Sequence, residues 1–277
     1  MSVASINTIA IGDIAKINNK EITDVANIGG VVVSPSGFSP LAVNFDGAGF
    51  FYNSSAFDGL SNAAAATVSC WAKLEVETIT NNIKIFCLSQ GSSPQLEVYV
   101  TSSNTISVIG RGSTTQRFWF YTESDTFLDD GLYHHIFAAY NSTGVGYLYI
   151  DGVQITHSIV ANGGSISFAN ANRNAIGALW NGSLSSNKFI GSIAEIWCTN
   201  EYLDPATYLA AFISDGKPVN LGVDGSAPGI TPKLYFSVRE GDTVNDFALN
   251  RGSSATDFSI NTSPGDSPSL ISPSPWA

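Results

Sequence analysis

Residues Leu132 to Ile155 read LYHHIFAAYNSTGVGYLYIDGVQI. The dipeptide Asp151-Gly152 near its end is a strong hairpin signal, because a type I′ turn needs positive φ at both central residues. A two-residue loop sets Ile150 opposite Val153 and Leu148 opposite Ile155, so four aliphatic side chains share one face. Tyr149, Gln154, Tyr147 and Thr156 then share the other, which is the alternation of a strand pair. Upstream, Tyr133 to Tyr140 predicts a third strand, apolar on both faces and therefore central. Asn141, Ser142, Thr143, Gly144 and Gly146 supply the loop between that strand and the hairpin.

An aromatic-His-His strand, a Gly-containing turn and a hairpin of the form LYIDGV, in this order, resemble the laminin-G/pentraxin-like branch of the concanavalin A-like jelly rolls. The resemblance implies an all-β, jelly-roll β-sandwich. Leu41-Ala42-Val43-Asn44-Phe45-Asp46-Gly47 is similar to the family's opening strand, and Phe189 to Asn200, FIGSIAEIWCTN, to its penultimate one. Between them Thr67–Leu74, Ile83–Ser89, Leu96–Val100, Thr105–Ile109, Arg117–Thr122 and Ala175–Trp180 read as further strands at jelly-roll spacing. Thr67–Leu74 alternates, with Val68, Cys70, Ala72 and Leu74 inward and Trp71 on the outer face. Asp204-Pro205 is an N-cap followed by proline at N1, which predicts one short helix over Ala206–Ser214 closing at Gly216. Leu234 to Val238 reads as the last strand, and residues 241–277 as an irregular, proline-rich tail.

At 277 residues the chain is long enough for a full sandwich core. A formal net charge of −11 argues against nucleic acid or anionic membrane as a partner. No run is apolar and long enough to span a bilayer, and the first residues lack the pattern of a signal peptide. Cys70, Cys87 and Cys198 all fall in expected strands, and an odd number is no disulfide framework, so buried free thiols are expected.

The first 35 residues differ from the rest. Ile11-Gly12-Asp13-Ile14-Ala15-Lys16-Ile17-Asn18-Asn19 returns eleven positions later as Ile22-Thr23-Asp24-Val25-Ala26-Asn27-Ile28-Gly29-Gly30. Aliphatics at positions one, four and seven suit neither a strand nor a long helix. They suit short turns of helix, or an arm laid on another surface with Ile11, Ile14, Ile17, Ile22, Val25 and Ile28 as anchors, or a piece packed on its own sandwich. Ser34-Pro35-Ser36-Gly37 reads as the linker to a domain over 36–240. The cadence of the repeat resembles the N-termini of structural proteins of tailed bacteriophages, which often continue into a laminin-G-like domain. That resemblance implies a virion protein made in the host cytoplasm, present in many copies or as a homo-oligomer, with other capsid or tail proteins as partners.

The residue types that could carry chemistry are carboxylates, histidines and aromatics. Some concanavalin A-like folds are glucanases whose catalytic acids lie on one strand in a Glu-x-Asp-x-x-Glu arrangement. Glu75-Val76-Glu77 is the nearest approach, at a strand end and without the third acid, and it reads as a solvated terminus. Glu195 has the parity of Ile193 and Trp197 and reads as a half-buried structural hydrogen-bonding group. His134 and His135 point to opposite faces, and His157 has no ligand at metal-binding spacing, so no zinc site and no enzyme is expected. The family resemblance admits calcium as a cofactor, with Asp46, Asp58, Asp129 and Asp130 as candidate oxygen ligands; loop aspartates also cap turns. A surface glycan would need aromatics beside amides, and Trp119, Tyr121, Trp180 and Asn181 are the candidates, although a sandwich core uses such aromatics too. The expectation is therefore a structural protein docked by its arm and displaying a lectin-like sandwich, or alternatively a glycan-binding adhesin.

Overall fold

The computed structural model describes residues 40–76, 79–123, 130–155, 162–182, 185–254, 256–261, 268–271 and 275–276 in full. Residues 159–161 and four short strands between Lys16 and Val32 are described as backbone. The chain divides into two units, Met1–Ser39 and Pro40–Ala277.

In the first unit, Lys16–Ile17 pairs antiparallel with Lys20–Glu21, and Asn27–Ile28 with Val31–Val32. Each pairing encloses two residues, Asn18-Asn19 or Gly29-Gly30, of the kind two-residue hairpins select. Each copy of the eleven-residue repeat thus contributes the first strand of one such pair. Ile17 and Ile28 take the same place in the two hairpins, at the end of the first strand. Ile11, Ile14, Ile22 and Val25 lie outside the described residues.

The second unit is a two-sheet antiparallel sandwich. Its strands are β1 (Ala42–Asp46), β2 (Phe50–Asn53), β3 (Ala66–Leu74), β4 (Ile83–Gln90), β5 (Ser93–Val100) and β6 (Ile106–Gly112). Then follow β7 (Thr115–Tyr121), β8 (His134–Tyr140), β9 (Gly146–Ile150), β10 (Val153–Ile155), β11 (Ile159–Ala161) and β12 (Asn174–Ile176). The last four are β13 (Ile190–Thr199), β14 (Leu234–Phe236), β15 (Ser259–Asn261) and β16 (Ser269–Ile271). One sheet runs β11-β7-β6-β5-β4-β12-β2-β15, and the other runs β10-β9-β8-β3-β13-β1-β16 with β14 also on β13.

The alternation explains the packing. Val68, Cys70 and Ala72 of β3, Ile136 and Ala138 of β8, and Val98, Val108, Phe118 and Phe120 from the facing sheet meet in one interior cluster. At Gly146 the sheets come so close that a Cβ would stand 2.1 Å from the Phe120 ring, and only glycine fits. β8 is buried on both faces: Phe137 and Ala139 turn outward and are covered with Trp197, Leu203, Phe212 and Tyr235. The three cysteines are buried and free, and burial pushes the Cys70 and Cys198 thiols up to about 12.

The hairpin keeps the expected register, with Leu148 opposite Ile155 and Ile150 opposite Val153. Asp151 and Gly152 both have positive φ, 52° and 79°. Val153 nevertheless leaves the core: it is 65% exposed, because β10 is the sheet edge.

Three further expectations are corrected. The helix is shorter, α1 (Pro205–Tyr208) followed by a 3₁₀ turn, Leu209–Ala211. Asp204 caps it as read, its Oδ1 accepting the Ala206 N–H at 3.1 Å. The chain then enters a second small hairpin, Ile213–Ser214 with Lys217–Pro218, because Asp215-Gly216 adopts the same doubly positive φ as Asp151-Gly152. Leu234–Val238 is not the last strand, for the tail contributes β15 beside β2 and β16 beside β1. The tail also places Trp276 against Trp71 (5.6 Å) and Tyr133 (4.6 Å between ring centroids). Finally, β13 carries a bulge between Ala194 and Trp197, so Ile193 and Trp197 lie on opposite faces rather than sharing one.

Candidate functional site

The outer face of the β4–β7 sheet carries the aromatic and charged side chains that alternate with the core residues. Sheet register brings them together. Tyr121 pairs across to Ser107 and Ser107 to Tyr99, while Trp119 pairs to Ile109 and Ile109 to Glu97. The Trp119 and Tyr121 rings lie 4.7 Å apart at 36°, forming an apolar step at the strand edge. Beside the step is a groove of about 490 Å³ whose lining includes Thr101, Thr105, Ser107, Trp119, Tyr121 and Glu123.

Most of the hydroxyls there have local partners. Thr101 Oγ1 and Thr105 Oγ1 are 2.6 Å apart, and Thr122 Oγ1 accepts the Ile106 N–H at 3.1 Å. Ser107 Oγ and Trp119 Nε1 are different: both atoms are buried and neither has a hydrogen-bond partner among the described residues. Such atoms are costly to leave unpaired, and they occur at other places in this fold too, Tyr133 Oη and Thr199 Oγ1 among them.

Further across the face, Glu97 is buried and accepts from both Lys84 and Arg111. Lys84 Nζ also sits 3.9 Å from the centroid of the Tyr99 ring. Nothing in the local sequence marks this group, because its members stand on three strands and only the register assembles them. Ser107 escaped sequence reading for the same reason.

The four aromatic and amide candidates fall in two places. Trp119 and Tyr121 form the step. Trp180 packs in a separate cluster with Phe50 and Ala175, 4.6 Å from Tyr52 and under Arg173, and its face is covered. Asn181 beside it is exposed.

The calcium candidates do not converge. Asp46 Oδ1 accepts the N–H groups of Ala48 (2.8 Å) and Gly49 (3.2 Å), a turn-capping role. Asp58 lies in an exposed turn. Asp130 Oδ1 accepts the Leu132 N–H at 2.8 Å and lies 3.1 Å from His134 Nε2. Asp129 lies outside the described residues, and among those described no three acidic, His or Cys side chains are grouped for a metal.

The histidines divide as expected between the two faces. His135 is fully buried, with Nε2 2.8 Å from Ser69 Oγ and the ring against Trp71. Burial holds its ring down at about 3, despite Asp151 nearby. His157 is outside the described residues.

The carboxylates read for catalysis are engaged elsewhere. Glu75 pairs with Lys73 at 3.2 Å and accepts from Asn44 at 3.0 Å; Glu77 lies outside the described residues. Glu195, on the bulge with φ 50°, is buried rather than half buried. It accepts the Tyr235 hydroxyl at 2.7 Å and a guanidinium N–H of Arg239, whose other nitrogen donates to Tyr235 at 2.6 Å. Burial, and after it the charge of Glu195, raises the Tyr235 hydroxyl well above its ordinary range.

A jelly-roll sandwich with a groove edged by an aromatic step has the architecture of a lectin-like domain. The Laminin_G_3 family model, described as the concanavalin A-like lectin/glucanases superfamily, matches residues 46–207, and the chain belongs to that superfamily. No curated protein matches the sequence. Among solved structures, a candidate carbohydrate binding protein from Bacteroides ovatus is similar over 89% of this chain and 65% of its own, at 13% identity and TM-score 0.55. A point mutant of the NanB sialidase from Streptococcus pneumoniae matches 65% of this chain at 16% identity and TM-score 0.50, and this chain spans 29% of it. A heptameric SAP-like pentraxin from Limulus polyphemus covers 66% of this chain and 87% of its own, at 16% identity and TM-score 0.46. At such identities the likeness is one of fold.

Proposed function

We propose that the protein is a non-catalytic structural protein of a tailed-bacteriophage virion, capsid decoration or tail fibre, held by its N-terminal arm and displaying the lectin-like sandwich. The observation that carries this reading is the division at residue 39, which separates a repeated-hairpin arm from a sandwich with its own core. Two-stranded hairpins of this size have little stability alone, so an arm made of them gains its order from a partner surface. Many copies on one particle would let weak contacts of Ile11, Ile14, Ile17, Ile22, Val25 and Ile28 hold together. The cadence of the repeat, similar to virion proteins, supports the phage setting.

A second reading, a glycan-binding adhesin, is favoured by the Trp119–Tyr121 step and its groove, and the two are compatible in one chain. Hydrolysis is disfavoured because Glu75 and Glu195 are committed to structural partners. The test is to locate the chain by electron microscopy of intact particles, with wild type and with Ile14→Asp/Val25→Asp. Loss of the double variant from the particle supports docking by the arm. Incorporation at normal copy number overturns it.

A further inference from the structure

We infer that Tyr147, Tyr149 and Tyr202, with Gln154 and Asp204, form a second glycan contact, on the outer face of the other sheet, that takes neutral, hydroxyl-rich sugars. It lies apart from the Trp119–Tyr121 groove and rests on the glycan-binding reading above. Register builds the cluster. Tyr147 lies opposite Ala139 and Ala139 opposite Thr67, while Gln154 lies opposite Tyr149 and Tyr149 opposite Phe137. Phe137 and Ala139 turn outward, and residues directly opposite share a face, so both tyrosines turn outward too. Thr67 then fixes the chain that leaves β13: its Oγ1 donates to the Glu201 carbonyl at 2.9 Å and accepts the Leu203 N–H at 3.0 Å. Those two bonds bring Tyr202 and Asp204 over the same face. Tyr149 and Tyr202 are half-buried against the cluster of Phe137, Trp197 and Leu203. The Tyr147 and Tyr149 rings stand 6.4 Å apart at 43°.

The polar groups of this cluster can be reached from solvent. Among the described residues neither the Tyr147 nor the Tyr202 hydroxyl has a hydrogen-bond partner, and both side chains are half-buried. The Tyr149 hydroxyl donates to Gln154 Oε1 at 3.3 Å, which leaves the amide hydrogens of this exposed glutamine for a ligand. Asp204 is exposed and caps α1 through Oδ1 alone. Burial, and after it Tyr147 and Asp204, raises the Tyr149 hydroxyl above its ordinary value; burial, and after it Asp204, Tyr147 and Tyr149, raises that of Tyr202. These hydroxyls thus stay protonated and stand within one another's fields. Hydroxyls that donate and accept, an amide that donates and a carboxylate that accepts match a partner whose own groups do both, as sugar hydroxyls do. The C–H face of a sugar ring can lie on the tyrosine rings. A protein partner gains most from apolar anchors buried whole, and here the inner sides of Tyr149 and Tyr202 are already taken up by the core. Residues 118–172 and 189–216 contain no Lys or Arg, so the strands and helix around the cluster offer no such counter-ion to a sugar carboxylate or sulfate. An anionic sugar would also meet Asp204 and the exposed Glu201.

The experiment is affinity electrophoresis of the full chain in native gels. The gels contain either a neutral polysaccharide (galactomannan or mixed-linkage β-glucan) or an acidic one (polygalacturonate or polysialic acid). Buffers at about 0.15 M salt screen charges over about 8 Å, so that the local surface and not the net charge decides. The expected result is retardation by a neutral polysaccharide that weakens about tenfold in the double variant Tyr147→Phe/Tyr202→Phe, which loses two hydroxyls and keeps both rings. Gln154→Ala, at an exposed edge position, should weaken it several-fold. Trp119→Ala reports on the other sheet. Neutral binding that is unchanged in the double tyrosine variant, whether or not Trp119→Ala removes it, would overturn the inference and leave the glycan-binding reading standing. Retardation by the acidic polymers alone would do the same. Retardation by none of the four would overturn both, and would leave a protein as the partner of the tyrosines.

Discussion

Asp151 Oδ2 lies 2.6 Å from His134 Nδ1, so the residue that opens the deciding turn is also tied by its side chain to the strand on the far side of β9. The second carboxylate oxygen accepts the His135 N–H at 2.7 Å, and Asp130 approaches the opposite ring nitrogen at 3.1 Å. One aspartate therefore serves the turn, through its positive φ, and the start of β8, through both its oxygens. Asp151→Ala should cost about 2 kcal/mol by urea denaturation, as expected for lost hydrogen bonds to a charged group. Asp151→Asn should cost less, since asparagine tolerates this φ and keeps one acceptor. An unchanged midpoint in the alanine variant would show that the turn is fixed by Gly152 and the core alone.

His135 supplies an acid-sensitive element. Its ring titrates near 3 in the folded chain because of burial, against 6.5 for an unburied imidazole. The unfolded chain therefore binds a proton that the native state refuses, and stability falls as pH drops from about 6.5 towards 3. The slope from this one residue is about 1.4 kcal/mol per pH unit. His135→Phe, placed among Trp71, Phe137 and Phe212, should flatten this limb of the stability–pH curve, read as denaturation midpoints from pH 7 to 4.

The Glu195–Tyr235–Arg239 group is structural, and its variants should behave as broken buried ion pairs do. Glu195→Gln removes the charge facing Arg239 and should cost about 3 kcal/mol. Joint replacement, Glu195→Leu with Arg239→Met, should recover much of that loss. Equal destabilisation in the joint variant would mean that the charges themselves, and not their mutual satisfaction, stabilise the bulge.

Metal removal should have no effect on the sandwich. Asp46 and Asp130 each spend Oδ1 on backbone N–H groups, that of Asp130 also facing His134, and among the described residues no group of three acidic, His or Cys side chains forms around either. The melting temperature in EDTA should match that in millimolar calcium; a rise with calcium would reveal a site that includes residues beyond those described.

The sandwich should also fold without the arm. A chain beginning at Pro40 retains the whole interior cluster, and its cooperative melting should coincide with that of the full chain. Aggregation of the shortened protein would assign the arm to the core.

The fold was legible where local chemistry and the global pattern agree. Asp151-Gly152 announced its turn, the alternation of Thr67–Leu74 announced a half-buried strand, and Asp204-Pro205 announced a helix start. Asp215-Gly216 carries the same turn signal, but in sequence Gly216 reads as the close of the helix that Asp204-Pro205 starts. The bulge at Glu195 was hidden, because an extra residue leaves no mark in composition yet reverses the parity of everything after it. The groove was half legible: Trp119 and Tyr121 announce themselves as aromatics on one strand face. Ser107 and the Lys84–Glu97–Arg111 group are unremarkable until register lays their strands side by side. Trp180 shows the converse, an aromatic with the right neighbours in sequence whose face is covered in the fold.

The paired hairpins of the arm have a consequence for how such chains change over generations. Because equivalent strands recur every eleven residues, a duplication or loss of thirty-three nucleotides inserts or deletes one whole hairpin and leaves its neighbours in phase. A step that is not a whole multiple of this length would put the strands that follow out of phase with those before. The N-terminal unit is in this respect a tape marked in fixed lengths, which slippage during copying can extend or cut while the sequence of the sandwich stays untouched.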